Sequence, residues 1–324
     1  VYPGRSEAEV RALLRETWNR PMRWAPFVGS REGRFEGRFV NVHRTGFRLS
    51  RGQGPWPPDP ARPSVFVFGG STTFGYGVAD DETIVSALQD YLDQHLPSLR
   101  VACYNFGRGA YYSSNERILF HELLGGGLVP RVAVFVDGLN EFALAEPLLT
   151  ARLRKMVGSP VAGANELLLE QLPLAQLIAR WKTPRRMPRR SPAALRQAFG
   201  DAGFLDGRIE RYLANRRLIA AAASAWGVRP LFVWQPVPTY EYDLRCHLFG
   251  DVDFEHNNYS AFGYPRMAER LRRAPLGPDF LWEADLQRGA CQPFYVDQIH
   301  YTAAMSAHLG AEIGRALLDR GLLP

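Results

Sequence analysis

Apolar residues recur along this chain in two rhythms: short unbroken runs fit for buried strands, and longer stretches with apolar positions three and four apart. Ser64–Gly69 is the first run, followed by Asp81–Leu96 with Ile84, Val85, Leu88, Tyr91 and Leu92 at helical spacing. Arg100–Tyr104 predicts a second strand and Ser113–Leu124 a second helix, opened by Ser113, Ser114 and Glu116. Arg131–Val136 is a third, strongly apolar strand. After an interruption the pattern resumes with a helix at about 208–226, ended by Gly227, and a fourth strand at Pro230–Trp234. A helix within Tyr259–Arg273, regular from near Pro265, a short strand at Phe280–Trp282 and a last helix, Ala303–Leu318, complete the series. Strands alternating with helices of this length predict βαβ units around a parallel sheet.

Two regions fall outside this alternation. Residues 1–60 read as an N-terminal extension packed on a core of 61–324. It holds a helix from Ser6, its N-cap, to Trp18, a strand and turn at Arg38–Arg48, and a Pro/Gly linker at Arg51–Pro60. His43 and Arg48 are polar groups that could border a cleft, although such residues more often sit on a surface hairpin. Residues 145–205 carry no strand pattern but a Leu-rich amphipathic stretch, Asn165–Trp181, and then basic residues through Arg190; this is an insertion, expected as a lid over the cleft.

With 324 residues, 46% hydrophobic and 22% charged, the chain can bury a large core, and no apolar run reaches the roughly eighteen residues of a membrane span. A start at Val1 rather than Met suggests a processed or truncated chain, leaving a removed leader, and with it an extracytoplasmic or membrane-associated location, open. The net charge of +6 is local: residues 151–220 carry 14 Lys and Arg against 5 Asp and Glu, and the remainder 25 against 28. That segment lacks interleaved aromatics and any nucleic-acid-binding motif, so no nucleic acid is expected as a partner; contact with an anionic membrane surface through 151–220 is the secondary reading. Three cysteines without a C-x-x-C argue against a zinc site; Cys103 reads as a buried small hydrophobe, and pairing of Cys246 with Cys291 stays open.

Candidate chemistry collects where the predicted strands end. Strand one delivers Ser71 after Gly69-Gly70, which suits a nucleophile on a sharp turn but equally a Ser that merely caps a helix. Strand two leads into Asn105-Phe-Gly-Arg-Gly109 and strand three into Asp137-Gly-Leu-Asn-Glu141, at the same edge of a parallel sheet. Asp297 and His300 stand three apart on a turn before the last helix. Acyl transfer needs a nucleophile, a base, a group to orient that base and oxyanion donors; Ser71, His300 and Asp297 fill the first three roles. The donors are the backbone N–H of Ser71, a backbone N–H at Gly109 or Ala110, and the Asn140 side chain. His95, His121, His247, His256 and His308 read as structural.

The four blocks Gly69-Gly-Ser-Thr72, Asn105-Phe-Gly-Arg-Gly109, Asp137-Gly-Leu-Asn-Glu141 and Asp297-Gln-Ile-His300 resemble, in order, those of the SGNH (GDSL-like) serine esterases and acylhydrolases. The resemblance spans about 64–142 and 230–320 and implies a three-layer α/β/α, flavodoxin-like fold, no metal or other cofactor, and cleavage or transfer of an ester-linked acyl group. The substrate would be a small-molecule, glycan or lipid ester. An acyltransferase using the same residues, or a binding module on the same scaffold, are the alternatives. The chain departs from the pattern where the usual Gly-Asp-Ser reads Gly-Gly-Ser, and in the second block, where the glycine position falls on Gly109 or Ala110 depending on register.

Overall fold

The computed structural model describes residues 1–25, 27–143, 158, 159, 161, 165 and 187–323. Five parallel strands form the central sheet: β5 (Ser64–Gly69), β6 (Ala102–Asn105), β7 (Val132–Asp137), β8 (Arg229–Trp234) and β9 (Phe280–Trp282). Their order is β6-β5-β7-β8-β9, the second strand of the series lying outside the first, which is the flavodoxin-like arrangement.

Alternation within each strand sorts the core into two unlike faces. Val65 and Val67, Val132, Val134 and Val136, and Leu231 and Val233 point to one side. There they meet Ile84, Val85, Leu88 and Leu92 of α3 (Ile84–His95) and Met305, Leu309, Ile313 and Leu317 of α9 (Ala303–Asp319). Phe66 and Phe68, Tyr104, Phe135, and Phe232 and Trp234 point to the other. That aromatic layer packs under α4 (Ser113–Gly125), α7 (Ala202–Ala225) and α8 (Ser260–Arg273). The result is three layers, α/β/α.

The N-terminal segment folds as α1 (Glu7–Trp18), opened by the capping box of Ser6 and Glu9, then two small antiparallel pairs. The first pair joins β1 (Met22–Ala25) to β2 (Gly29–Glu32), the second β3 (Phe35–Glu36) to β4 (Asn41–Val42). Leu13, Phe39, Val40 and Val42 bury themselves against Phe74 and Ala79, so this segment shares its core with the loop that follows β5.

Several boundaries differ from expectation. The helix expected from Asp81 is a 3-10 turn, Asp80–Glu82, followed by α3 from Ile84, because Thr83 takes the capping position and accepts from the Ser86 N–H. α7 begins at Ala202, six residues before the expected start, with Asp201 capping it, so its first turn belongs to the region read as insertion. A further helix there, α6 (Pro192–Phe199), is capped by Ser191 with proline in its first turn. α8 is helical from Ser260 rather than from near Pro265. Of the amphipathic stretch Asn165–Trp181 only Asn165 is described, and the expected lid, 145–205, lies outside the described residues for most of its length before residue 187. Among those described, no helix is long and apolar enough to cross a membrane. Cys246 and Cys291 form a disulfide, and Cys103 is buried and free.

Candidate active site

The turn that presents Ser71 is held from several sides. β5 ends at Gly69, Gly70 is extended, and Ser71 opens a four-residue helix, α2 (Ser71–Phe74), closed by Gly75 in the left-handed conformation. Asn105, at the end of β6, donates from its side chain to Thr73 O at 2.9 Å and accepts from the Gly107 N–H. Gly107 lies so close to α2 that a Cβ there would sit 2.3 Å from the Phe74 nitrogen. Gln235, at the end of β8, accepts from the Thr72 hydroxyl at 2.7 Å and from Tyr301, joining the first block to the fourth.

Arg48 contradicts both readings made of it: it neither borders the cleft nor lies on the surface. Its side chain is fully buried, donating to Phe74 O, Gly75 O and Val78 O and pairing with Asp80 at 2.9 Å. One guanidinium thereby satisfies three carbonyls of the segment that follows Ser71. His43 stacks on Phe47 and contacts Thr45, away from the residues that line the cleft.

The fourth block forms a tight turn pinned by pairing of Tyr295 with Tyr301, followed by Thr302 as the cap of α9. This brings His300 Nε2 to 2.8 Å from Ser71 Oγ and His300 Nδ1 to 2.7 Å from Asp297 Oδ2. With the ring hydrogen on Nδ1, the imidazole donates to Asp297 and leaves Nε2 to accept from the Ser71 hydroxyl, satisfying both contacts. The other carboxylate oxygen of Asp297 accepts the N–H groups of Ile299 and His300, each at 2.9 Å. Burial alone would raise the Asp297 pKa, but the neighbouring His300 and these hydrogen bonds outweigh it and hold the carboxyl below its ordinary value. Ser71 and His300 are both nearly buried, 8% and 6% exposed.

Ser71, Gly109, Ala110, Asn140 and His300 line one open cleft of about 300 Å³, together with Met22, Ser30, Tyr76, His256, Asn257 and Ile299. Asn140 Nδ2 lies beside the Gly70-Ser71 turn, where a Cβ on Gly70 would approach it to 2.5 Å, and one of its hydrogens is donated to Tyr111 O at 2.7 Å. An amide carries two such hydrogens, so a second remains for a ligand. Ala110 has φ +60° and Gly109 lies against the Tyr76 hydroxyl, where a Cβ would come within 2.5 Å. In the second block, glycine is therefore required at 109 by contact, while 110 carries the backbone strain.

Sequence reasoning missed part of the surroundings. His256, read as structural, lines the cleft, because the 3-10 turn Glu255–Tyr259 faces it. His247, by contrast, is structural: it stacks on Tyr295 at 5.0 Å, and burial pushes its pKa down to about 4. Tyr76 stacks on the His300 ring at 5.3 Å, and Trp18 meets both rings edge-on. Tyr76 is fixed by its hydroxyl, which donates to Glu32 at 3.1 Å, and by the Arg20 guanidinium over its face; Arg20 and Glu32 form a buried pair. No local motif in the sequence marks Trp18, Arg20 or Glu32, since they reach the site from the N-terminal segment.

Beneath the third block lie three buried carboxyls, Glu116, Asp137 and Glu141. Glu141 accepts from the Ser113 N–H and pairs with Arg211 at 3.3 Å. Burial first, and then the charge of Asp137 on Glu116 and of Glu141 on Asp137, raise both well above ordinary carboxyls, although the hydrogen bond with Glu116 partly offsets the rise at Asp137. Among the described residues, no group of three or more His, Cys, Asp or Glu side chains is arranged to hold a metal ion.

No family model matches this chain, and no curated protein matches it. Solved structures do. A lipase from a goat rumen metagenome is 12% identical, with a TM-score of 0.45 over 78% of this chain and 97% of that one. A psychrotrophic esterase from Pseudoalteromonas sp. is 10% identical, with a TM-score of 0.40 over 79% and 97%. A protein ascribed to the lipolytic G-D-S-L family of Desulfitobacterium hafniense DCB-2 is 12% identical, with a TM-score of 0.41 over 79% and 100%. At 10–12% identity these likenesses concern overall arrangement alone.

Proposed function

We propose that this chain is a serine esterase that cleaves an ester-linked acyl group through Ser71. The observation that carries the reading is the hydrogen-bonded series Ser71–His300–Asp297, assembled at the carboxyl edge of a parallel sheet from segments 229 residues apart. In the proposed reaction the Ser71 hydroxyl proton passes to His300 Nε2 as Oγ bonds to the ester carbonyl carbon. The negative charge that develops on the carbonyl oxygen is met by the Asn140 amide and by the N–H groups of Ser71 and the Gly109-Ala110 turn. Collapse breaks the bond to the alcohol oxygen, which takes the proton from His300, leaving an acyl-Ser71 ester. Water, its proton taken by His300, then attacks that ester and releases the acid. Asp297, held ionised, keeps the imidazole in the required tautomer and steadies its positive charge.

The open cleft favours a short acyl group over a long chain, which would need an enclosed apolar channel. The Cys246–Cys291 bond fits an oxidising compartment. The test is labelling by a fluorophosphonate probe together with hydrolysis of p-nitrophenyl acetate. The wild type should label and turn over, and Ser71→Ala should do neither. His300→Ala should lose at least about 10³-fold in kcat. Labelling that persists in Ser71→Ala would reject the proposal. Product analysis with an added alcohol separates hydrolysis from acyl transfer.

A further inference from the structure

We infer that Trp18 forms the binding platform for the alcohol half of the substrate, and that this half carries a ring with an apolar face. The inference rests on the esterase reading of Ser71. It begins with the direction of the reaction. The leaving oxygen must receive its proton from His300 Nε2, so the alcohol departs on the His300 side of Ser71, while the carbonyl oxygen points towards Asn140, Gly109 and Ala110. Microscopic reversibility places any incoming hydroxyl on that same side.

The N-terminal segment reaches the His300 side of the site through Trp18 and lines the cleft with Met22 and Ser30. Trp18, the last residue of α1, has its indole 5.7 Å from the His300 ring and 5.1 Å from the Tyr76 ring, edge-on to both. Its position is locked by these two contacts, yet 54% of the residue is open to solvent. Met22, also about half exposed, lines the cleft in the same segment, and Ser30 adds a hydroxyl. A large aromatic surface left open beside the His300 ring, at the margin of the cleft that His300 and Tyr76 line, fits a flat or chair-shaped ring. Asn257, His256 and Ser30 supply polar groups in that cleft, so a pyranose and a carbocycle both meet the stated chemistry.

The experiment compares acetates that share one acyl group and differ only in the alcohol: ethyl acetate, cyclohexyl acetate and methyl 6-O-acetyl-glucopyranoside. In Trp18→Ala the ratio of kcat/KM for a ring ester over ethyl acetate should fall about five- to tenfold, mainly through KM. Trp18→Phe, which keeps a ring, should restore most of that ratio. Selectivity between ethyl acetate and ethyl butyrate should not change, because the acyl group lies on the other side. Whether the cyclohexyl or the sugar ester shows the larger fall identifies the ring. If Trp18 only positions His300, all esters lose kcat in the same proportion and the ratio holds; that result overturns the inference and leaves the esterase reading intact. If Ser71→Ala hydrolyses these esters as the wild type does, both fall.

Discussion

Gly70 stands where the resembling family carries an acidic residue, and its smallest possible change is informative. The backbone there is extended (φ −80°, ψ −157°), so alanine adopts it without strain, and any effect of Gly70→Ala must come from the added methyl. That methyl would sit 2.5 Å from Asn140 Nδ2 and 3.2 Å from Tyr111 O, where ordinary contact begins near 3.4 Å. The Tyr111 carbonyl need give only about 0.2 Å, the difference between 3.4 and 3.2 Å, whereas the Asn140 amide must retreat by about 0.9 Å, the difference between 3.4 and 2.5 Å. Its 2.7 Å hydrogen bond to Tyr111 then weakens, at a cost of about 1 kcal/mol, and its second hydrogen leaves the position proposed for the oxyanion. Loss of one such donor lowers kcat by roughly 10²–10³, about 3–4 kcal/mol of transition-state stabilisation.

The assay is p-nitrophenyl acetate turnover by the wild type, Gly70→Ala, Asn140→Ala and the double variant, with thermal melts as a check on folding. If the methyl acts through Asn140, the double variant should be no slower than Asn140→Ala alone. A Gly70→Ala enzyme within threefold of wild type, or a double variant whose loss is the product of the two single losses, would refute the reasoning.

Four further outcomes are expected. Gly107→Ala should fold poorly or lose activity, since its Cβ would lie 2.3 Å from a backbone nitrogen of α2; a soluble, fully active variant measured by circular dichroism and turnover would contradict the packing. Arg48→Met leaves three loop carbonyls without their donor and should cost about 3 kcal/mol or more in urea unfolding. The Cys246–Cys291 bond closes a 45-residue interval, so replacing both cysteines by serine should lower stability by up to about 4 kcal/mol, read from denaturant midpoints. Glu116 and Asp137 hold protons in the folded state that the unfolded chain releases from about pH 4 upward, so their contribution to stability declines as pH rises through their elevated pKa values; Glu116→Gln should flatten that decline in melts taken from pH 4 to 9.

The parts of the fold legible in the sequence were those set by local physics. Unbroken apolar runs such as Val132–Val136 must be buried on both faces, which already means a parallel sheet covered by helices. Ser6 and Glu9 are three apart, and that spacing alone specifies the capping box of α1. Ser71, Asn140, Asp297 and His300 could be nominated as a candidate site because each sits at a strand end or turn with its own short-range signature. Boundaries failed where the capping residue lay a few positions from the expected start: Thr83 caps α3, expected from Asp81, and Asp201 caps α7, expected from about 208.

What only the tertiary structure decided is how distant segments complete the site. Arg48 reads as an ordinary hairpin arginine until the loop after α2 is seen wrapped around it. Trp18, Arg20 and Glu32 carry no motif, yet they fix Tyr76 against His300. His256 cannot be told from any loop histidine until its turn is placed across the cleft. The physical reason is that hydrophobic rhythm, caps and turn chemistry act within a few residues, whereas a contact between positions 18 and 300 depends on how the whole sheet and its covering segments pack.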